Sequence, residues 1–218
     1  MICVSIGEKT VDGCIDALRN LEFAEIRIDK IENIALGGIQ KIFSQPVRLI
    51  ATCRPGGTLD ENARKELLLS AIESGASFVD IEVENRDEYK KEVISAARKK
   101  GCKVIVSSHN YNRTPSCAEL GQVLDWCFDS GADIAKIACM VNSEQDCARL
   151  LGLLDDHRKI VVVGMGKSGR IVRIAAPLLG SPFTFASLGN GKETADGQIN
   201  KEEMEQIMKL LGELKNGK

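Results

Sequence analysis

Hydrophobic residues of this chain gather in short runs that recur about every 25 to 30 residues along the sequence. Residues 104–106 and 160–163 are continuously apolar, whereas a half-exposed strand would alternate apolar and polar positions. Continuous runs are typical of strands buried on both faces, as in parallel sheets with helices outside. The pattern predicts eight strands, at 2–6, 25–29, 47–53, 78–83, 103–107, 133–138, 160–164 and 183–187.

Amphipathic segments fill the gaps between these runs. Residues 60–74 have an acidic start and a stripe of Leu and Ile, and residues 85–100 end in basic residues, which suit the negative end of a helix dipole. Residues 116–130 begin with Ser116 and carry Glu119 three positions later, the pattern of a capping box. We therefore expect helices to alternate with the strands.

Eight strand–helix units on one chain of 218 residues predict a single (β/α)8 barrel domain over residues 1–218. An open, doubly wound parallel sheet is the alternative architecture. The formal net charge of −2 gives no reason to expect nucleic acid or a membrane surface as a partner. No apolar run approaches the roughly 20 residues of a membrane span, and no secretory signal pattern is present, so we expect a cytoplasmic protein.

The eight cysteines do not have the spacing of a metal or redox centre. No two of them form a CxxC pair, and the chain has only two histidines, so a zinc cluster or a redox sensor is disfavoured. We expect the cysteines to be small buried hydrophobic residues in a reducing compartment, and we expect no metal.

Lys136 is the most unusual polar residue within the apolar runs, because Ile and Ala flank it on both sides. Functional groups of a (β/α)8 barrel lie at the carboxyl ends of the strands, so Lys136 is expected to point into the barrel there. Burial and neighbouring arginines should favour a neutral amine, which attacks carbonyl groups to give an imine. The alternative is a structural lysine paired with Glu25 or Glu82.

His109 follows the predicted strand 103–107, where a general acid and base is expected, although a hydrogen bond within the loop would explain it equally well. The other histidine, His157, is expected to be exposed at the end of a helix.

Charged residues also occur at alternate positions of two predicted strands. Glu25, Arg27 and Asp29 are expected to share one strand face, and so are Asp80 and Glu82. The pattern fits an internal network of ion pairs, a cradle for a substrate with several hydroxyl and carboxylate groups, or both.

A Gly-rich segment at 164–169 matches the dinucleotide-binding pattern GxGxxG, and it follows a predicted strand. A dinucleotide fold also needs an acidic residue about 20 positions later, where this chain offers only Ser187. We therefore expect no nucleotide cofactor.

Seven motifs in order closely resemble the type I 3-dehydroquinate dehydratases, a family of Schiff-base enzymes. The resemblance extends from the first predicted strand to the loop before the last helix. The motifs are EIRID at 25–29, ATCR at 51–54, VDIE at 79–82, SSHNY at 107–111, AKIA at 135–138, MGKSG at 165–169 with Arg173, and GQI at 197–199.

The resemblance implies dehydration of 3-dehydroquinate in the shikimate pathway, without a metal or dissociable cofactor. Lys136 would form an imine with the C3 ketone, and His109 would take the C2 proton and help the C1 hydroxyl to leave as water. Glu82 would orient His109, and Arg173 would clamp the substrate carboxylate. A homodimer is also implied. The remaining substrate-binding residues would be Glu25, Arg27, Arg54, Thr194 and Gln198.

The loop near the C-terminus departs from the family pattern Ser-Ala-Pro-Gly-Gln-Ile. Thr194 keeps the hydroxyl of the serine and adds a methyl group, and Asp196 removes the fixed φ of the proline and adds a charge. We expect the stiffness and closure of this loop to differ from the family pattern.

Two other functions compete with this hypothesis. A small aldolase or transaldolase would also form an imine, but it would lack the pairing of His109 with Arg173. It would carry a phosphate-binding loop, which residues 189–191 (Gly-Asn-Gly) could imitate. A non-catalytic metabolite-binding barrel should have lost Lys136, His109 or Arg173. A role in biosynthesis is favoured over quinate breakdown.

Overall fold

A computed structural model describes residues 1–215 and the side chains of residues 1–212. Residues 216–218, part of the expected domain, lie outside the described residues. Strands and helices alternate along the described chain. The strands are β1 Ile2–Ile6, β2 Phe23–Arg27, β3 Arg48–Thr52, β4 Phe78–Glu82, β5 Lys103–Asn110, β6 Ile134–Met140, β7 Ile160–Met165 and β8 Thr184–Ser187. The helices are α1 Val11–Ala17, α2 Leu36–Phe43, α3 Glu61–Glu73, α4 Asp87–Lys100, α5 Cys117–Asp129, α6 Glu144–Gly152, α7 Arg170–Ala175 and α8 Lys201–Lys215.

All strand pairs in the sheet are parallel, and neighbours in sequence are neighbours in space from β1 to β7. β8 pairs with β1, so the sheet curls into a nearly closed barrel whose ladder is open only between β7 and β8. A doubly wound sheet would instead reverse its strand order near the middle. The (β/α)8 prediction is confirmed, and the doubly wound alternative is wrong.

The interior of the barrel is apolar towards the amino ends of the strands. Phe23, Phe78 and Phe183 pack together there, with the rings of Phe23 and Phe183 5.1 Å apart at 89°. Burying each such ring contributes about 2–3 kcal/mol. Because aromatic rings fill this half of the barrel, the polar residues that face inward occupy the carboxyl ends.

The helix starts follow the predicted capping signals. The Asp60 side chain caps α3 by accepting from the Ala63 N–H, and Ser116 and Glu119 form the predicted capping box of α5. Gly101 ends α4 with a φ of 69°, a conformation that favours glycine. The predicted helices are confirmed, although α4 begins at Asp87, two residues later than expected.

Two strand boundaries differ from the prediction and change the position of polar residues. β2 ends at Arg27, and Ile28–Lys30 form a short 3-10 helix, so the prediction that Asp29 shares a strand face with Glu25 is wrong. The turn lets the Asp29 carboxylate reach back to Arg27. β5 extends to Asn110 because pairing with β6 continues that far, so His109 lies inside a strand and not after it.

The glycines of the segment 164–169 allow close backbone packing. A Cβ on Gly164 would lie 2.5 Å from the Gly169 carbonyl oxygen, and a Cβ on Gly197 would lie 2.2 Å from the Gly166 carbonyl oxygen. Gly166 also has a φ of 77°. The GxGxxG match is thereby explained by contacts between chain segments.

The cysteines are free thiols, and six of the eight are buried as predicted. The prediction is wrong for Cys117, which is exposed at the start of α5, while Cys147 is half-buried. His157 is exposed as predicted, with 93% of its side chain accessible. In the described part of the chain, no helix combines the length and the apolar character that a membrane crossing requires.

Candidate active site

The carboxyl ends of the strands surround a cavity of about 330 Å³, a size suited to a small metabolite. All the predicted site residues except Glu82 line this cavity, and Glu82 contacts the cavity residue His109. The predicted residues in the lining are Glu25, Arg27, Arg54, His109, Lys136, Arg173, Thr194 and Gln198.

Lys136 lies in the middle of β6 and is 6% exposed. Its Nζ donates a hydrogen bond to Asp80 Oδ2 at 2.9 Å and lies 3.5 Å from Glu25 Oε1. The same nitrogen sits 4.2 Å from the centre of the Phe185 ring, a cation–π contact. Burial of the lysine was predicted, but its main partner, Asp80, was not.

Carboxylates, and not arginines, are the closest charged groups to the Lys136 ammonium. Arg54 Nη2 lies 2.8 Å from Asp80 Oδ2, so one carboxylate oxygen contacts both cations. Burial opposes the charge on Asp80, but Arg54 and Lys136 hold the pKa of its carboxyl far below the usual value. Of the two partners considered for a structural lysine, Glu25 lies within salt-bridge distance of Lys136, and Glu82 makes no contact with it among the described residues. A neutral amine at Lys136 stays a prediction.

Arg54 is committed to a buried polar network. Its Nη1 donates to Ser107 Oγ at 3.1 Å, and Ser107 Oγ donates to Asp80 Oδ1 at 2.6 Å. Glu82 Oε1 lies 3.8 Å from the same guanidinium nitrogen. These contacts fix the Asp80 carboxylate from two sides, so Asp80 presents a rigid anion to Lys136.

His109 is the only histidine near this cavity among the described residues. Burial, followed by the charge of Arg54, lowers the pKa of His109 to about 4. Its Nδ1 is 3.4 Å from Glu82 Oε1, longer than a normal hydrogen bond, and has no closer partner in the described chain. The ring of Tyr111 stacks on the imidazole at 5.9 Å. His109 is therefore a neutral base at neutral pH, oriented by a carboxylate and an aromatic ring.

Glu82 remains ionised beside His109. Burial raises its pKa, but the contact with His109 and the charge of Arg54 bring the pKa below the usual value. An ionised Glu82 can stabilise the imidazolium that forms when His109 takes a proton.

Arg173 supplies a buried cation that forms no salt bridge among the described side chains. It is 1% exposed, its Nη2 donates to the Asp196 carbonyl oxygen at 3.2 Å, and its Nε has no partner in the described chain. It forms no salt bridge within residues 1–212. Burial lowers its pKa to about 10 against the opposing charge of Asp196, so it stays charged at neutral pH. A buried, unpaired guanidinium favours an anionic ligand.

Arg27 and Glu25 line the cavity wall beside Lys136. Arg27 binds Asp29 through two nitrogens, at 3.0 and 2.7 Å, and its Nη1 donates to the Thr194 carbonyl oxygen at 3.3 Å. Glu25 Oε1 accepts from Thr52 Oγ1 at 2.9 Å. Burial raises the pKa of Glu25, but Lys136 and Arg27 bring it below the usual value, so this wall carries fixed charges of both signs.

Residues 194–198 cover one side of the cavity after β8. Gln198 Oε1 accepts from the Thr194 N–H at 2.7 Å, so a hydrogen bond joins the two ends of this segment. The Asp196 carbonyl oxygen accepts from Arg173, and this backbone contact does not depend on which side chain residue 196 carries. These contacts form with aspartate at the position where the family pattern has proline, and the stiffness and closure of the loop stay a prediction.

A sequence profile of type I 3-dehydroquinase matches residues 2–215. The chain belongs to this family. The 3-dehydroquinate dehydratase of Methanocaldococcus jannaschii is 35% identical over 223 residues, which cover 97% of this chain and 99% of that protein.

Solved structures of the same family share the fold. The type I 3-dehydroquinate dehydratase of Clostridium difficile has a TM-score of 0.85 and 28% identity, covering 96% of this chain and 91% of that one. The 3-dehydroquinate dehydratase of Aquifex aeolicus has a TM-score of 0.83 and 29% identity, covering 96% and 98%. The predicted family and its enzyme class, the hydro-lyases, are confirmed. An aldolase and a non-catalytic barrel are thereby disfavoured.

In this type I 3-dehydroquinase, sequence reasoning missed residues that hold others in place. Asp80 was seen only as one of two carboxylates on β4, and Ser5, which donates to Glu25, gave no signal because a serine in an apolar strand is common. Met140, Met165 and Phe185 also line the cavity, and apolar residues on strands carry no functional signature. Within the described residues, no group of three His, Cys, Asp or Glu side chains is placed to hold a metal ion.

Proposed function

We propose that this chain converts 3-dehydroquinate to 3-dehydroshikimate by eliminating water through an imine on Lys136. The observation that carries the proposal is one cavity that combines the buried Lys136 amine, a neutral His109 and the unpaired cation of Arg173. Family membership supplies the substrate. The solved Clostridium difficile relative carries covalently modified comenic acid, which is consistent with covalent chemistry in this family.

Binding of the substrate would begin at Arg173, whose guanidinium can hold a carboxylate with two parallel hydrogen bonds. The ligand would supply the counter-ion that this buried group lacks among the described residues. Glu25, Arg27, Arg54, Thr194 and Gln198 would contact the hydroxyl groups and complete the orientation. The ketone would then lie against Lys136 Nζ.

Imine formation requires a neutral amine, so the Lys136 ammonium must first release a proton. His109 is the acceptor that we assign, since its imidazole is neutral and β5 lies next to β6. The amine nitrogen then bonds to C3 of the ketone. The former carbonyl oxygen takes one proton from the amine nitrogen and one from the imidazolium of His109 and leaves as water. An iminium cation remains, stabilised by Asp80 and Glu25.

Elimination uses the iminium as an electron sink. His109 removes the C2 proton, and the electron pair moves into the iminium to give an enamine. The enamine then expels the C1 hydroxyl, which leaves as water with a proton from His109. Hydrolysis of the product iminium consumes one water and restores the Lys136 amine, so the net reaction releases one water.

The direct test of this mechanism is borohydride reduction of the wild-type protein mixed with 3-dehydroquinate. Reduction should fix the imine as a stable secondary amine, and mass spectrometry should place the added mass on the peptide that contains Lys136. Absence of an adduct, or an adduct on a different lysine, would contradict the mechanism.

The loss of activity at low pH should reflect the protonation of His109. Because its pKa lies near 4 instead of 6.5 in the folded protein, the base stays neutral as the pH falls below 6.5. We expect kcat/KM to stay level down to about pH 5 and to fall towards pH 4. Thermal melting at each pH separates this loss from acid unfolding. A loss of activity centred near pH 6.5 would show that burial and the charge of Arg54 do not lower the pKa of His109 as proposed.

Replacement of Arg173 with alanine should weaken substrate binding more than it slows chemistry. Loss of a charge-assisted, bidentate contact costs about 3 kcal/mol, so KM should rise roughly 100-fold. Arg170→Ala is the matched control, since Arg170 is exposed on the same helix. Steady-state kinetics decides the matter: a KM within threefold of the wild-type value would remove Arg173 from the binding site.

Four further properties belong to this proposal. They are a single domain over residues 1–218, a cytoplasmic location, a role in biosynthesis rather than in quinate breakdown and, on the family resemblance, a homodimer. Light scattering at micromolar concentration would test the dimer.

A further inference from the structure

Ser5 connects the loop at residues 194–198 to the carboxylate beside Lys136. Ser5 lies on β1, is fully buried, and is the strand partner of Glu25 on β2. Its hydroxyl donates to Glu25 Oε2, and Thr194 Oγ1 lies 2.7 Å from the same Ser5 oxygen. A residue of the first strand therefore joins the last loop of the barrel to its interior.

The direction of these hydrogen bonds follows from the number of protons. An ionised Glu25 can only accept, so the single proton of Ser5 points to Glu25, and the Ser5 oxygen must accept from Thr194. Thr194 has then used its own proton and accepts from Gln198 Nε2, which lies 3.1 Å away. The three side-chain donors, on Gln198, Thr194 and Ser5, therefore form a chain directed towards the Glu25 carboxylate.

The far side of Glu25 faces the reacting amine. Glu25 Oε1 accepts from Thr52 and lies 3.5 Å from Lys136 Nζ. Ser5 and Thr52 each hold one oxygen of this buried carboxylate, so the loss of either should let it rotate away from Lys136.

We propose that Ser5 is a positioning residue that couples closure of residues 194–198 to the placement of Glu25 against Lys136. The inference rests on the proposed function and deepens it. When Thr194 lies on Ser5, the loop is closed and Glu25 is fixed for the iminium. When the loop opens, Ser5 loses the hydrogen bond from Thr194, and the Ser5 hydroxyl no longer holds Glu25 in one orientation.

A double-mutant cycle tests this coupling. Ser5→Ala and Thr194→Val should each raise KM for 3-dehydroquinate about tenfold and slow imine trapping, because each breaks the same connection to a charged group. The double variant should be no more than about twofold worse than either single variant. Ser181→Ala is the matched control, since Ser181 is also buried but its hydroxyl donates to Phe183 O, before β8.

Additive effects of the two substitutions would overturn the coupling, as would a folded Ser5→Ala protein with wild-type KM and kcat. A merely structural serine would lower the melting temperature, as we expect for Ser181→Ala, without raising KM. If Ser5→Ala does not fold, Ser5→Cys takes its place, because a thiol keeps the size of the side chain and is a weak donor and acceptor. An unchanged KM in that variant would also overturn the proposal.

Hydrogen exchange separates this inference from the proposed function. Peptides covering residues 190–199 should exchange faster in Ser5→Ala than in the wild-type protein, and should be unchanged in Ser181→Ala. This result does not depend on turnover. An inactive wild-type protein with faster exchange in Ser5→Ala would refute the function and retain the coupling, whereas unchanged exchange would refute the coupling alone.

Discussion

Replacement of Lys136 with alanine is expected to abolish both the borohydride-trapped adduct and the dehydration of 3-dehydroquinate. Without the amine there is no iminium to accept the electrons of the C2–H bond, so kcat should fall by roughly 10⁴-fold or more. The assay would follow product formation, and mass spectrometry of the reduced mixture would search for added mass on every lysine.

Two controls make this result specific to the amine. Lys167→Ala removes an exposed lysine just after β7 and should keep both adduct and turnover. Lys136→Ala also removes a cation from the buried carboxylates of Asp80 and Glu25, although Asp80 keeps its contact with Arg54, so we expect a less stable protein and the assay must run below its melting temperature. A folded Lys136→Ala protein that still dehydrates the substrate would refute the imine mechanism.

Replacement of His109 with alanine should separate imine formation from elimination. We expect the variant to form the trapped adduct, though more slowly, and to lose dehydration by roughly 10²- to 10⁴-fold, since proton transfer at C2 and at the leaving hydroxyl has lost its catalyst. Single-turnover trapping measures the first step, and the steady-state rate measures the second.

His157→Ala is the matched control, because it removes the other histidine of the chain at a site with 93% exposure. This control should behave as the wild-type protein does. Normal dehydration in His109→Ala would exclude His109 as the base, and complete loss of trapping would contradict the expected separation of the two steps.

The prediction of the fold succeeded because it rests on local properties. Buried parallel strands must be apolar on both faces, and such runs are visible in residues 104–106 and 160–163 whatever the rest of the chain does. The boundaries at Asp29 and His109 were wrong because strand ends depend on pairing with neighbours: β2 stops at Arg27, while pairing with β6 carries β5 to Asn110.

The sequence by itself determined the barrel and the inward, buried position of Lys136 on its strand, because flanking apolar residues indicate which way a strand residue faces. Only the tertiary structure decided that Asp80 holds Lys136, that Arg173 lacks a counter-ion within the described residues, and that Ser5 joins Thr194 to Glu25. These contacts join residues 20 to 189 positions apart. Their distances follow from the tilt of the strands around the barrel, which no local pattern encodes.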